Sequence, residues 1–111
     1  MTIDIRTATA EQLAEYVLTA RGWKQDAEPP FMYVSPDRED YESVESFSSD
    51  LNLIADAMPL GWGWTFDGDV WDAMNGSGDQ TVQTNDTGNE RLDRLRLAAL
   101  SWEVESKENS K

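Results

Sequence analysis

The stretch Trp62-Gly63-Trp64-Thr65-Phe66-Asp67-Gly68-Asp69-Val70-Trp71 constrains the fold most, because large aromatics alternate with small or polar residues straight into an Asp-Gly step. That period puts every second side chain on one face of an extended chain, and Asp-Gly between two such runs is a hairpin signal. Strands are expected over 62–66 and 70–74. A third, over 80–84, follows the turn-rich Asn75-Gly76-Ser77-Gly78-Asp79 and completes a three-stranded antiparallel meander. With Trp62, Trp64 and Phe66 assigned to one face and Trp71 to the other, both faces need cover, and helices on both sides would supply it.

Three helices are legible. Thr9-Ala10-Glu11-Gln12 has capping-box spacing, Leu13, Tyr16, Val17 and Ala20 recur at helical period, and Gly22 follows as a left-handed stop, which predicts a helix over 9–21 with Trp23 folding back on it. Ser48-Ser49-Asp50 offers caps ahead of the stripe Leu51, Ile54, Ala55 and Met58, which Pro59 and Gly61 end, so a second helix is expected over 50–58. Thr87-Gly88-Asn89-Glu90 repeats the capping-box spacing before Leu92, Leu95, Ala99 and Trp102, with Leu97 and Leu100 widening the stripe. The third helix is placed over 88–104. Between the first two, Pro29-Pro30 and Pro36 confine extended structure to Phe31-Met32-Tyr33-Val34, an edge strand or ordered loop, and 37–45 reads as an exposed acidic segment. The expected architecture is an α+β domain over 1–104, a small three-stranded antiparallel sheet flanked by helices as an α/β/α sandwich. A polar, disordered tail over 105–111 follows.

The chain has 111 residues with no histidine and no cysteine, which excludes an imidazole base, a thiolate nucleophile, a disulfide and the usual Cys/His zinc site. On that ground no enzymatic activity, catalytic residue or cofactor is expected. Apolar runs reach at best four residues, as at Leu97-Ala98-Ala99-Leu100, far short of a membrane span. Met1-Thr2-Ile3-Asp4 opens no secretory signal, so the cytoplasm is the expected compartment. Twenty-two acids stand against nine bases, a formal charge of −13 that argues against direct binding of nucleic acid or anionic lipid and favours encounter with a basic protein surface. The excess is regional: 26–56 carries −8 and 67–86 carries −5, while the rest balances. Arg91, Arg94 and Arg96 run against the trend near the start of the last helix, where they either pair with nearby acids or mark a homodimer contact.

The order of landmarks resembles the phage ABA-sandwich domain family, short proteins of phages and prophages. The likeness rests on a first helix ending in Gly22-Trp23, on Phe47-Ser48-Ser49-Asp50 at the second helix, and on the final helix Arg94-Leu95-Arg96-Leu97-Ala98-Ala99-Leu100. It spans about 13–102 and departs from the family pattern at Leu51-Asn52-Leu53-Ile54-Ala55, which carries no tryptophan. The resemblance implies a sheet between helical layers and a viral setting, hence the host cytoplasm, and it brings no catalytic residues.

Two constellations bear on function. Asp67, Asp69, Asp72 and Asp79 give a carboxylate-dense stretch, the basis of an alternative reading as a calcium-binding or hydrolytic protein. A calcium loop needs a ligand at its fifth place and glycine at its sixth, where this chain has Trp71 and Asp72. Acids alternating along a strand would stand about 6.6–6.8 Å apart, comparable to the charge spacing of B-DNA. The favoured expectation is therefore a DNA mimic of anti-restriction or anti-CRISPR type. It would inhibit a basic, nucleic-acid-binding host protein through Glu39, Asp40, Glu42, Glu45, Asp67, Asp69 and Asp72; a phage structural or assembly protein is the other alternative.

Overall fold

The computed structural model describes residues 4–109. Helix α1, Ala10–Ala20, begins as expected: Thr9 accepts from the Gln12 amide and the Gln12 side chain accepts from the Thr9 amide, a complete capping box. It ends in a Schellman motif, with Gly22 at φ +88°, its amide donating to the Thr19 carbonyl and that of Trp23 to the Leu18 carbonyl.

Three two-residue strands follow, β1 (Lys24–Gln25), β2 (Tyr33–Val34) and β3 (Tyr41–Glu42), in a small antiparallel sheet of order β1-β2-β3. The extended run around Tyr33 is thus the middle strand of a sheet rather than its edge, and part of the acidic segment pairs with it. Periodicity cannot announce strands this short. Next comes α2 (Val44–Ser49), capped by Ser43, then α3 (Leu51–Ala55). Asp50 is extended, at φ −110° and ψ 109°, and its Oδ1 accepts from the amides of Asn52 and Leu53, so it ends one helix and starts the next. The helix expected over 50–58 therefore stops at Ala55. The Ala57 carbonyl is taken by the Trp102 indole at 2.6 Å instead of by a further helical turn.

The meander is present as β4 (Gly63–Phe66), β5 (Val70–Met74) and β6 (Thr81–Asn85), order β4-β5-β6. Register decides its layering. Trp64 pairs with Ala73 and Ala73 with Val82; Phe66 pairs with Trp71 and Trp71 with Thr84, so all six share one face. Trp71 is therefore on the same side as Trp64 and Phe66, not opposite them. The other face carries Thr65, Asp72, Thr81, Gln83 and Asn85, which suit water, with Val70 and a half-exposed Met74 among them, and the helices gather on the aromatic face alone.

Helix α4, Glu90–Asn109, is the centre of the molecule. One side meets α1, α2 and α3 in a core of Leu13, Val17, Leu18, Phe47, Ile54, Leu95, Ala98 and Ala99; another meets the sheet through Leu97 against Trp62, Trp71 and Ala73. The widened stripe of Leu97 and Leu100 is the signature of a helix buried on two sides. Its start is capped by Asn89, whose side chain accepts from the Leu92 amide, rather than by Thr87. Thr87 donates its amide and hydroxyl to the fully buried carboxylate of Asp93 instead, at 3.0 and 2.7 Å. At the far end α4 runs past Val104, and stretch 105–109 is helix rather than a frayed tail. Glu105 is held there by the buried Trp62 indole, which donates to it at 2.6 Å; 110–111 lie outside the described residues. The α+β class is as expected, with two three-stranded antiparallel sheets and four helices among the described residues. No helix there is long and apolar enough to cross a membrane.

Candidate functional site

The acids expected to form the contact surface fall into two ordered groups on different sheets. The first is built around Ser35, a buried residue whose hydroxyl donates to the Asp37 carboxylate and accepts from the Asp40 amide. The Ser35 and Asp40 backbones also bond, Asp37 accepts from the Glu39 amide, and Arg38 takes a left-handed φ of +64° to close the turn. Glu39 and Asp40 thus project from a pinned turn between β2 and β3. Glu42 lies on β3, and Glu45 is exposed in the first turn of α2, where its charge suits the helix dipole. The hydrogen bond from Ser35, then that from Glu39, holds the Asp37 carboxyl below its ordinary value.

The second group stands at one end of the larger sheet. Asp67 closes the β4–β5 hairpin: its amide donates to the Val70 carbonyl, and its Oδ1 accepts from the amides of Val70 and Asp69 at 2.9 and 3.2 Å. Gly68 supplies the positive φ, +101°, that a two-residue loop requires. These bonds, Val70 first, hold Asp67 below the ordinary carboxylate range. The Asp86 amide donates to the Asp69 carbonyl, so Asp86 joins Asp67 and Asp69 at this end. Asp72 instead sits on the polar face of β5, opposite Thr65 and Gln83. The expected row of acids at every second strand position is not what the fold builds: most sit in turns, and of the seven only Glu42 and Asp72 lie on strands. Sequence reasoning passed over Asp37 and Asp86 as site residues. The signal for each was an Asx step, an acid ahead of Arg38-Glu39 or Thr87-Gly88, with its side chain bonding the amide two residues on. Among the described residues no three Asp or Glu are placed to hold a metal ion.

No protein-family model, curated protein or solved structure matches this chain.

The bases are placed to tie backbone together. Arg96 is buried and donates to the carbonyls of Ile5 and Ala8, both at 3.0 Å; Arg91 donates to the Ser49 carbonyl at the end of α2, and Arg6 to the Gln83 carbonyl on β6. Arg94 lies over the Trp64 ring at 4.3 Å and pairs with Glu90. Both ion pairs among the described residues, Arg94–Glu90 and Lys107–Glu103, lie within α4. Neither involves an acid of 26–56 or 67–86. A cavity of about 400 Å³ beside the small sheet is lined by Lys24 and Arg38 with Asp26, a mixed lining that commits it to neither charge.

One more feature adjoins the second acidic group. Trp64 and Phe66 are 39% and 43% exposed on β4, and Leu60, just before the strand, is fully exposed. Beneath them lies Trp71, its ring centroid 5.6 Å from that of Trp64 and 4.3 Å from that of Phe66; its buried indole N–H has no acceptor among the described residues.

Proposed function

We propose that this chain is a non-enzymatic accessory protein of a phage or prophage. It binds a basic, nucleic-acid-binding host protein through its acidic turns and competes with DNA for it. The observation that carries this reading is that neither ion pair among the described residues engages an acid of 26–56 or 67–86, where Arg21 attracts Asp56 from beyond ion-pair distance, while Arg6, Arg91 and Arg96 engage backbone carbonyls and Arg94 lies on the Trp64 ring. Clustered carboxylates repel one another and lower the stability of their own scaffold, a cost that is understandable if an opposite charge arrives to relieve it. Pinning of the turns by Ser35 and by Asp67 adds to the case, because a preorganised array loses less entropy on binding.

The contacts are Glu39, Asp40, Glu42 and Glu45 on one side and Asp67, Asp69, Asp72 and Asp86 on the other. The test is capture of partners from a bacterial lysate at low and high salt, followed by direct titration of the purified partner with duplex DNA as competitor. The reading expects a DNA-binding protein whose capture fails at high salt, is displaced by DNA, and is weakened by the combined change Glu39→Gln, Asp40→Asn, Glu42→Gln, Glu45→Gln. Capture indifferent to salt, DNA and these substitutions would refute it.

A further inference from the structure

We infer that the free edge of β4 is a docking edge for an extended segment of the partner, one that alternates apolar and cationic residues. This inference rests on the acidic-surface reading and names where and how that surface is anchored.

Hydrogen-bonding parity shows which backbone groups are free. Pairing in an antiparallel ladder alternates, and the Asp67 amide donates to Val70, so Thr65 and Gly63 turn their amides and carbonyls toward β5 while those of Trp64 and Phe66 face outward. Natural sheets blunt such edges with lysine, proline, a bulge or a covering segment. The opposite edge is treated in that way, since Arg6 takes the outward carbonyl of Gln83 at 2.6 Å. Gly63-Trp64-Thr65-Phe66 has none of these devices and presents two half-exposed rings with Leu60 alongside. Trp64 is held in place by Arg94 behind it, so the anchor is formed before binding.

Charge selects the occupant. A second copy pairing edge to edge would bring another −13 body and another set of Asp67, Asp69 and Asp86 against this one, whereas a cationic strand is attracted by all three. The two faces of the sheet set its pattern. An added strand puts alternate side chains beside Trp64 and Phe66, where apolar residues fit, and the others beside Gly63 and Thr65, where a long lysine or arginine can reach over the polar face toward Asp72 one strand further in.

The experiment is a titration of the full chain with a synthetic peptide of alternating valine and lysine, followed by amide NMR and hydrogen exchange, with a valine–glutamate peptide as control. The expected result is shifted Trp64 and Phe66 amides whose exchange slows at least about tenfold, no effect of the acidic peptide, and roughly tenfold weaker binding for Leu60→Ser/Phe66→Thr. Leu60→Ser alone cannot disturb the fold, because that side chain touches solvent only, and it is expected to carry part of the loss. Binding that shifts only the Glu39–Glu45 stretch and leaves Trp64 and Phe66 unprotected overturns the docking edge but keeps the acidic reading. Equal binding of both peptides, or none of either, overturns the docking edge, and the acidic reading is then decided by the capture experiment alone. Protection of Trp64 in the free protein at high concentration, with a doubled mass, would assign the edge to self-association and overturn the proposal.

Discussion

Gly22→Ala tests the most specific backbone requirement in the chain. Gly22 holds φ +88° so that its own amide and that of Trp23 can return to Thr19 and Leu18 and close α1. A residue with a Cβ pays about 1–2 kcal/mol in the left-handed region, and the added methyl would meet Pro36 Cγ at 3.3 Å, a contact the ring must yield to by a few tenths of an ångström. Against this, alanine stiffens the unfolded chain and returns about 0.4–1 kcal/mol. The net loss is about 1 kcal/mol, or about 5 °C in Tm for a domain of this size. Gly63 is the internal control, with no positive φ and nothing within 4 Å of an added Cβ, so Gly63→Ala is expected to be neutral or about 0.5 kcal/mol stabilising. Asparagine, which tolerates the left-handed region, should fall between glycine and alanine at position 22. The assay is thermal and urea unfolding of the three variants beside the parent. If Gly22→Ala matches or exceeds the parent while Gly63→Ala loses stability, the conformational argument fails at its root.

Other substitutions probe the packing and the turns. The Asp67 pKa is lowered in the folded state, so the stability it adds is present above its ordinary value of 3.8 and lost as pH falls through the folded value. Asp67→Asn keeps an acceptor and removes the charge, so urea midpoints of parent and variant should differ at neutral pH and converge as the pH falls well below 3.8; a gap unchanged in acid contradicts this. Glu105→Ala leaves the buried Trp62 indole without its acceptor and should cost about 1–2 kcal/mol, whereas Glu103→Ala breaks an exposed pair with Lys107 and should cost almost nothing; equal losses would show that the bond to Trp62 does not hold the end of α4. Phe47→Ala empties a site with 1% exposure between α1, α3 and α4 and should cost about 3–5 kcal/mol, a large share of the total for such a domain; a loss under about 1 kcal/mol would place Phe47 outside the core.

What could be read from the chain was whatever repeats with a period. The alternation through Trp64 and Phe66, the stripe Leu13-Tyr16-Val17 and the wide stripe of α4 each fill several turns or strand positions, so the meander and the long helices stood out. Features set by single side chains were not legible. Asp50 splits one expected helix into two by bonding two amides, and nothing in Ser48-Ser49-Asp50 distinguishes a helix start from a break between helices. The strands of the smaller sheet span two residues each, below any periodic signal. Alternation alone assigns Trp71 to the wrong face, because the loop length between β4 and β5 sets register and a single-residue slip exchanges faces. At the candidate site the same distinction holds: acid density along the chain marked 37–45 and 67–72, but only the turn bonds showed that Asp37 and Asp86 belong with them and that the acids crown turns rather than line a strand.

The division of labour between the two signs of charge follows from what each side chain can bond. Arginine has five donors and no acceptor, so it can satisfy the carbonyls left over where segments meet: Ile5 and Ala8 by Arg96, Ser49 by Arg91, Gln83 by Arg6. A carboxylate is an acceptor only, and here the acids take amides of their own turns, as Asp37, Asp50, Asp67 and Asp86 do, which turns the remaining oxygen outward. Cations therefore knit the body while anions crown its loops, and the field that emerges is uncompensated at close range. Salt then acts in two opposite directions. Screening relieves repulsion within each crown and raises the folding midpoint, and the same screening weakens attraction to a cationic strand. A chain whose acidity served solubility alone would show the first effect without the second, so measuring both on one sample separates an electrostatic recognition surface from a merely soluble coat.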